Sequence, residues 1–140
     1  MDAEFRFDVE VPARYRDLDT LGHVNNAVYA TYLEQARAAY VDRVLGADLT
    51  DGEMVLASLE IDFRRPVDAV VGSIRVECGA VSVGDSSFRM GYRVHDDDDG
   101  DGDEPAATAE SVQVAWDGAS SRPLPVAWLE SLRAFEPGLS

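Results

Sequence analysis

Residues 15–37 read YRDLDTLGHVNNAVYATYLEQAR. The first part, RDLDTLGHV over residues 16–24, holds two carboxylates, Asp17 and Asp19, with Thr20 and Gly22. Such residues favour a loop over a regular element. From Asn26 the pattern changes. Tyr29, Leu33, Ala36, Tyr40 and Val44 recur at spacings of three and four, one stripe of an α-helix. Val28, Tyr32 and Val41 widen the stripe, and Ala27, Ala30, Ala36, Ala38 and Ala39 keep the helix thin. Gly46 is a natural stop, so a largely buried helix is predicted over Asn26–Leu45. Asn25 and Asn26 are the only asparagines in the chain, and Asn is a favoured N-cap.

Working outward, residues 5–15 alternate apolar and polar as a half-buried strand does. Phe5, Phe7, Val9 and Val11 are expected on one face, with Pro12 marking an edge or a bulge. Beyond the helix, Met54–Pro66, Gly72–Val83, Ser86–His95 and Ala106–Trp116 are strand-like. Gly84-Asp85 suggests a tight hairpin, and Pro125 is placed to start a short helix ending near Phe135. The predicted class is α+β. A mostly antiparallel sheet with one long helix laid across it, and a short C-terminal helix, satisfies this order of elements in a single domain over residues 1–140. One helix and a short tail cannot cover both faces of such a sheet. Self-association through an edge strand or a face is therefore expected.

Composition narrows the function. Acidic residues number 27 against 12 basic ones, and the formal net charge is −15. Every basic residue is Arg, no Lys occurs, and Asp outnumbers Glu by 17 to 10. Such a chain repels itself at low ionic strength, whereas in ~1 M salt the Debye length is only about 3 Å. This pattern suggests a protein adapted to a salt-filled cytoplasm. Without a basic patch, and with a pI near 4.2, nucleic-acid binding is not expected. The lack of Lys removes Schiff-base chemistry and Walker-type phosphate binding. No G-x-S-x-G elbow is present. Two histidines, His23 and His95, are too few for a His-rich metal site. The single cysteine, Cys78, allows no intramolecular disulfide and is expected as a small buried hydrophobe. The acidic tract 96–104 fails as a calcium loop, because its twelfth position, counted from Asp97, is Thr108 rather than Glu. The N-terminus has no apolar secretory core and no segment is long enough to span a bilayer, so a cytoplasmic location with no membrane contact is expected.

The helix start offers unpaired backbone amides and a positive dipole end, where negative charge on a carbonyl oxygen is stabilised. A carboxylate just upstream adds the other half of acyl-transfer chemistry. The same segment resembles the signature of 4-hydroxybenzoyl-CoA thioesterase-like hotdog enzymes, roughly Y-x-D-x-D-x-x-G-H-V-N-N-x-x-Y-x-x-Y-x-E-x-x-R. Tyr15, Asp17, Asp19, Gly22, His23, Val24, Asn25, Asn26, Tyr29, Tyr32, Glu34 and Arg37 fall into it. Weaker likeness continues through IDFRRPV and VGDSSFRMGYRV.

The resemblance implies a hotdog fold, an antiparallel sheet of five to six strands wrapped round one long central helix, and hydrolysis of an acyl-CoA to a free acid and CoA, with no cofactor beyond the CoA of the substrate. It implies Asp19 as nucleophile or general base and the Asn26 amide as oxyanion donor. His23 would sit beside the thioester. Asn25, Tyr29 and Glu34 are candidate substrate contacts, and Glu34, on the core stripe, would need a partner such as Arg37. Asp17 is expected to fix the loop. Arg64 and Arg65 are candidates for the CoA phosphates, although adjacent strand residues point to opposite faces. A homodimer, and from it a homotetramer, is expected. The rivals are a hotdog hydratase or dehydratase and a non-catalytic acyl-CoA binder. For the hydratase the usual D-x-x-x-x-H spacing is not met, since His23 follows Asp17 by six and Asp19 by four.

Overall fold

The computed structural model describes residues 5–13, 17–19, 22–67, 73–96 and 104–139. Strand β1 (Phe7–Pro12) is followed by a continuous helical stretch. A 3-10 turn, Asn26–Val28, leads into α1 (Tyr29–Tyr40), which widens into a π-helical turn, Val41–Leu45. Then come β2 (Met54–Phe63), β3 (Ser73–Val83), β4 (Ser87–Asp96), β5 (Ala107–Ala115) and α2 (Val126–Phe135). The helical stretch starts and stops where the sequence predicts. Gly46 ends it in the left-handed region at φ 65°, donating to the Asp42 carbonyl at 3.1 Å.

All five strands form one antiparallel sheet in the order β1-β3-β4-β5-β2. Alternation sorts their side chains. Val76, Cys78, Met90, Tyr92, Ala109 and Ser111 face inward, and α1 lies across that face with Tyr29, Tyr32, Leu33, Ala36 and Tyr40 buried. This is the hotdog arrangement. Ala36 permits close approach: its carbonyl is 4.0 Å from the Cys78 sulfur. Cys78 is fully buried, and burial, with the Glu136 carboxylate adding to it, pushes its thiol up to about 12. α2 packs on the π-helical turn. One polar bond set pins these parts together. The Tyr40 hydroxyl donates to Glu136 at 2.7 Å and accepts from the Ala80 amide at 3.1 Å. Tyr40→Phe strands both partners in a largely buried place. We expect it to lower the unfolding free energy by about 1–3 kcal/mol in denaturant titration.

Three expectations change. Phe5 does not share the face of Phe7, Val9 and Val11. The chain bends at Arg6, and the Phe5 ring lies on the outer face beneath Arg93, 4.7 Å from its guanidinium. Gly91 makes room there; a Cβ at that position would sit 3.1 Å from the ring. The β3–β4 connection is not a two-residue turn, since Ser86 joins Gly84 and Asp85, with the Gly84 amide bonded to the Ser87 carbonyl at 2.7 Å. Glu34 is exposed rather than buried, because it lies beside the stripe and not on it; Arg37 is the buried one. Pro12 does stand on an edge strand, β1. Tyr15, the Asp68–Gly72 part of the β2–β3 connection and most of the acidic tract lie outside the described residues.

Candidate active site

The loop before α1 is held by its own hydrogen bonds. Asp17 is buried; its carboxylate accepts from the Tyr32 hydroxyl at 2.8 Å and its carbonyl accepts from the Asn25 amide at 2.8 Å. Leu18 bridges Val24, whose amide donates to the Val67 carbonyl at 2.9 Å. Asp19 closes a small ring. Its amide donates to the His23 carbonyl at 2.8 Å, and its Oδ1 accepts from the His23 amide at 3.2 Å. The Gly22 amide donates to the Asp19 carbonyl at 3.1 Å, with Gly22 at φ 77°, a conformation costly for any residue with a Cβ. The result is a fixed backbone carrying an exposed Asp19 side chain.

The helix start is equally ordered. Asn25 is the N-cap, at φ −65° and ψ 132°, and its Oδ1 accepts from the Ala27 amide at 2.9 Å. Its carbonyl accepts from the Val28 amide at 2.9 Å. The amides of Val24, Asn25, Ala27 and Val28 are therefore all engaged, while among the described residues that of Asn26 has no acceptor. An unpaired N–H at the positive end of a helix suits a developing oxyanion. Sequence spacing puts it seven residues after Asp19.

The other candidates are spread more widely. His23 is half-buried in the loop. Tyr29 is buried, its ring edge-on to Phe63 at 5.1 Å, and burial raises its phenol against the pull of Arg65. Glu34 makes no ion pair with Arg37, although both line one small cleft. Arg65 forks onto Asp96 with two contacts of 3.0 Å and holds that carboxyl below its ordinary value. Arg64 is exposed, 3.4 Å from Thr108 Oγ1, on an open depression of about 690 Å³ on the outer sheet face. Neither that depression nor the cleft near Glu34 is lined by Asp19, His23 or Asn26. Among the described residues no three His, Cys, Asp or Glu side chains gather as a metal site would need.

A polar set inside the sheet was not legible from spacing. Arg37 Nη1 donates to the Tyr92 hydroxyl at 3.2 Å, the Tyr92 and Ser111 hydroxyls are 2.6 Å apart, and Ser111 donates to Gln113 Oε1. The available signal was that Ser111 and Gln113 take inward positions on β5, in AESVQVA, where an all-apolar face would be ordinary.

Residues 21–102 match the family model of the thioesterase superfamily. The chain belongs to that superfamily. The matched segment begins just past Asp19 and includes the helix and three strands of the sheet. A thioesterase from Thermus thermophilus, solved with coenzyme A and zinc, shares 39% identity with it. That match covers 95% of this chain and 96% of the other, with a TM-score of 0.84. A candidate acyl-CoA thioesterase from Xanthomonas campestris shares 31% identity over 86% of this chain and 99% of its own, with a TM-score of 0.72. A candidate thioesterase from Pseudomonas aeruginosa shares 29% identity over 94% and 98%, with a TM-score of 0.80. No curated protein matches the chain. Thioester hydrolysis is thus the superfamily's general chemistry for this fold. Among the described residues no helix is long and apolar enough to cross a membrane.

Proposed function

We propose that the chain is an acyl-CoA thioesterase with Asp19 as its catalytic carboxylate. The carrying observation is the Asn26 amide at the helix start, which has no acceptor among the described residues and is preceded on the same hydrogen-bonded loop by an exposed carboxylate. In this reading the thioester carbonyl oxygen points at the Asn26 N–H. Asp19 then attacks the carbonyl carbon and expels the CoA thiolate, leaving a mixed anhydride for water to open. Alternatively Asp19 takes a proton from water, which attacks directly. Either route consumes one water and gives the acid and CoA. No further cofactor is invoked. His23 lies within the Asp19 loop and would position the thioester; Asn25, as N-cap, holds the amide in place. Arg64 is the better candidate for the CoA phosphates, because the Arg65 guanidinium is already engaged by Asp96.

The same reading includes a homodimer. β2 is an edge strand ten residues long, with Leu56 44% and Phe63 45% exposed. Long exposed apolar edges invite pairing with another strand. Two copies of β2 joined antiparallel would continue the sheet. Pairing of such dimers into tetramers would use the outer face.

Release of CoA thiol from a panel of aliphatic and aromatic acyl-CoAs tests the activity. Thioesters left intact across the panel by folded protein would overturn it.

The acidic surface supports a halophilic setting. At −15 with no Lys, repulsion should weaken the fold until salt screens it. The melting temperature is expected to climb steeply between roughly 0.1 and 3 M KCl, as the Debye length falls from about 10 Å to below 3 Å. A flat profile across that range would remove this part of the proposal.

A further inference from the structure

We infer that Arg37, backed by Gln113, forms a polar end wall that receives the far end of the acyl group bound at the partner's helix start. On this basis the preferred substrates are acyl-CoAs whose acyl chain ends in a carboxylate. The inference rests on the thioesterase reading and on β2 pairing in the dimer.

Arg37 is only 5% exposed. Among the described residues its guanidinium makes one bond, to the Tyr92 hydroxyl, and no carboxylate pairs with it. Tyr92 is a neutral partner, since burial raises its phenol well above neutrality. A buried guanidinium without an anion is an expensive arrangement. Among the described residues the polar groups around it are neutral and bond one another. Ser111 donates to Gln113 Oε1, and Gln113 Nε2 is bonded to the Phe88 carbonyl at 3.1 Å. The remaining N–H groups of Arg37 are not sealed in the core. Arg37 lines a cleft of about 130 Å³ with Glu34, Leu49, Met54, Leu56 and Gln113. Leu49, Met54, Val55 and Leu56 give the cleft an apolar side along which a short methylene chain can lie, and Arg37 is the cationic group of a polar side that it shares with Glu34 and Gln113.

Placement supplies the substrate. The Tyr29–Phe63 contact at 5.1 Å puts the helix start beside the C-terminal end of β2. The cleft contains Met54, Val55 and Leu56, at the N-terminal end of the same strand. An isologous, antiparallel pairing of β2 with its copy sets the start of one strand opposite the end of the other. Centring it midway between Leu56 and Phe63 covers each of these exposed side chains with the other. It also brings the cleft of one protomer beside the helix start of its partner. Glu34 lines the same cleft, but it is exposed and its charge is solvated, whereas Arg37 is buried.

The test uses the full-length dimer at activating KCl concentration, with three length-matched substrates: hexanoyl-CoA, 6-hydroxyhexanoyl-CoA and adipoyl-CoA. Adipoyl-CoA is expected to exceed hexanoyl-CoA in kcat/KM by about tenfold or more, mainly through KM, the scale of one charge-assisted bond. The hydroxy compound should fall between them. Arg37→Met should bring the ratio close to one, and Arg37→Lys, which keeps the charge but loses the fork, should retain part of it. Glu34→Gln should raise the ratio or leave it. If Arg37→Met does not fold, the wild-type ranking and the Arg37→Lys ratio still decide. Equal or better turnover of hexanoyl-CoA by the wild type overturns the inference and leaves the thioesterase reading standing. No thiol release from any substrate in the wider panel overturns both.

Discussion

Asp19→Asn should lower kcat by at least ~10²-fold while leaving the fold intact, the loss typical when a positioned acid–base group is removed. Among its bonds to described residues, Asp19 uses its amide, its carbonyl and the side-chain Oδ1, which accepts from the His23 amide at 3.2 Å. Asn offers the same acceptor, so the loop bonds survive. What disappears is the charge, and with it both the nucleophile and the base. Asp17→Asn is the informative contrast. Asp17 is buried and bonded to Tyr32, so its replacement should show first as lost stability. Melting temperatures and single-turnover rates for the two variants would separate the roles. A folded Asp19→Asn protein with near-wild-type turnover at high salt would remove Asp19 from the chemistry.

The features legible in the sequence are those set by local physics. The helical stretch Asn26–Leu45 begins at a side-chain cap on Asn25 and ends at a left-handed glycine, Gly46; both are written in residue type. The strands were visible through alternation, and their ends shift by only a residue or a few. Long-range pairing was not visible. The guanidinium of Arg37 meets Tyr92 across 55 positions, and that of Arg65 meets Asp96 across 31. Nothing near either arginine announces its partner. For the same reason Glu34 lies at the surface against expectation. Its helical neighbourhood is apolar, but the inward polar groups of β5 lie opposite Arg37 instead. Phe5 failed differently. Alternation assumes a strand, and the bend at Arg6 ends it before Phe5, letting the ring cross to the outer face over a glycine. For the candidate site, the sequence supplies the order of parts, acid then cap then amide. Which of those parts is left unbonded is a property of the folded turn.

That unbonded group allows a sharper test, on the backbone instead of a side chain. Asn26→Pro deletes the amide itself, and is expected to reduce kcat by ~10²–10³-fold, as loss of one oxyanion donor does. Proline usually ruins a helix, but the first helical position is where it is tolerated, because that N–H makes no intrahelical bond. Asn26 occupies that position. The residue before a proline must be extended, and Asn25 already is, at ψ 132°. Its cap bond to the Ala27 amide does not involve the Asn26 nitrogen and should persist. Asn26→Ala keeps the amide and drops the side chain, so it should lose far less. The pair therefore separates the backbone from the side chain at one position. If both variants melt with the wild type and only the proline variant loses turnover, the oxyanion is held by the Asn26 N–H. Undiminished turnover in a folded Asn26→Pro protein would mean that the negative charge is stabilised elsewhere, and the proposed thioester pose would have to be abandoned.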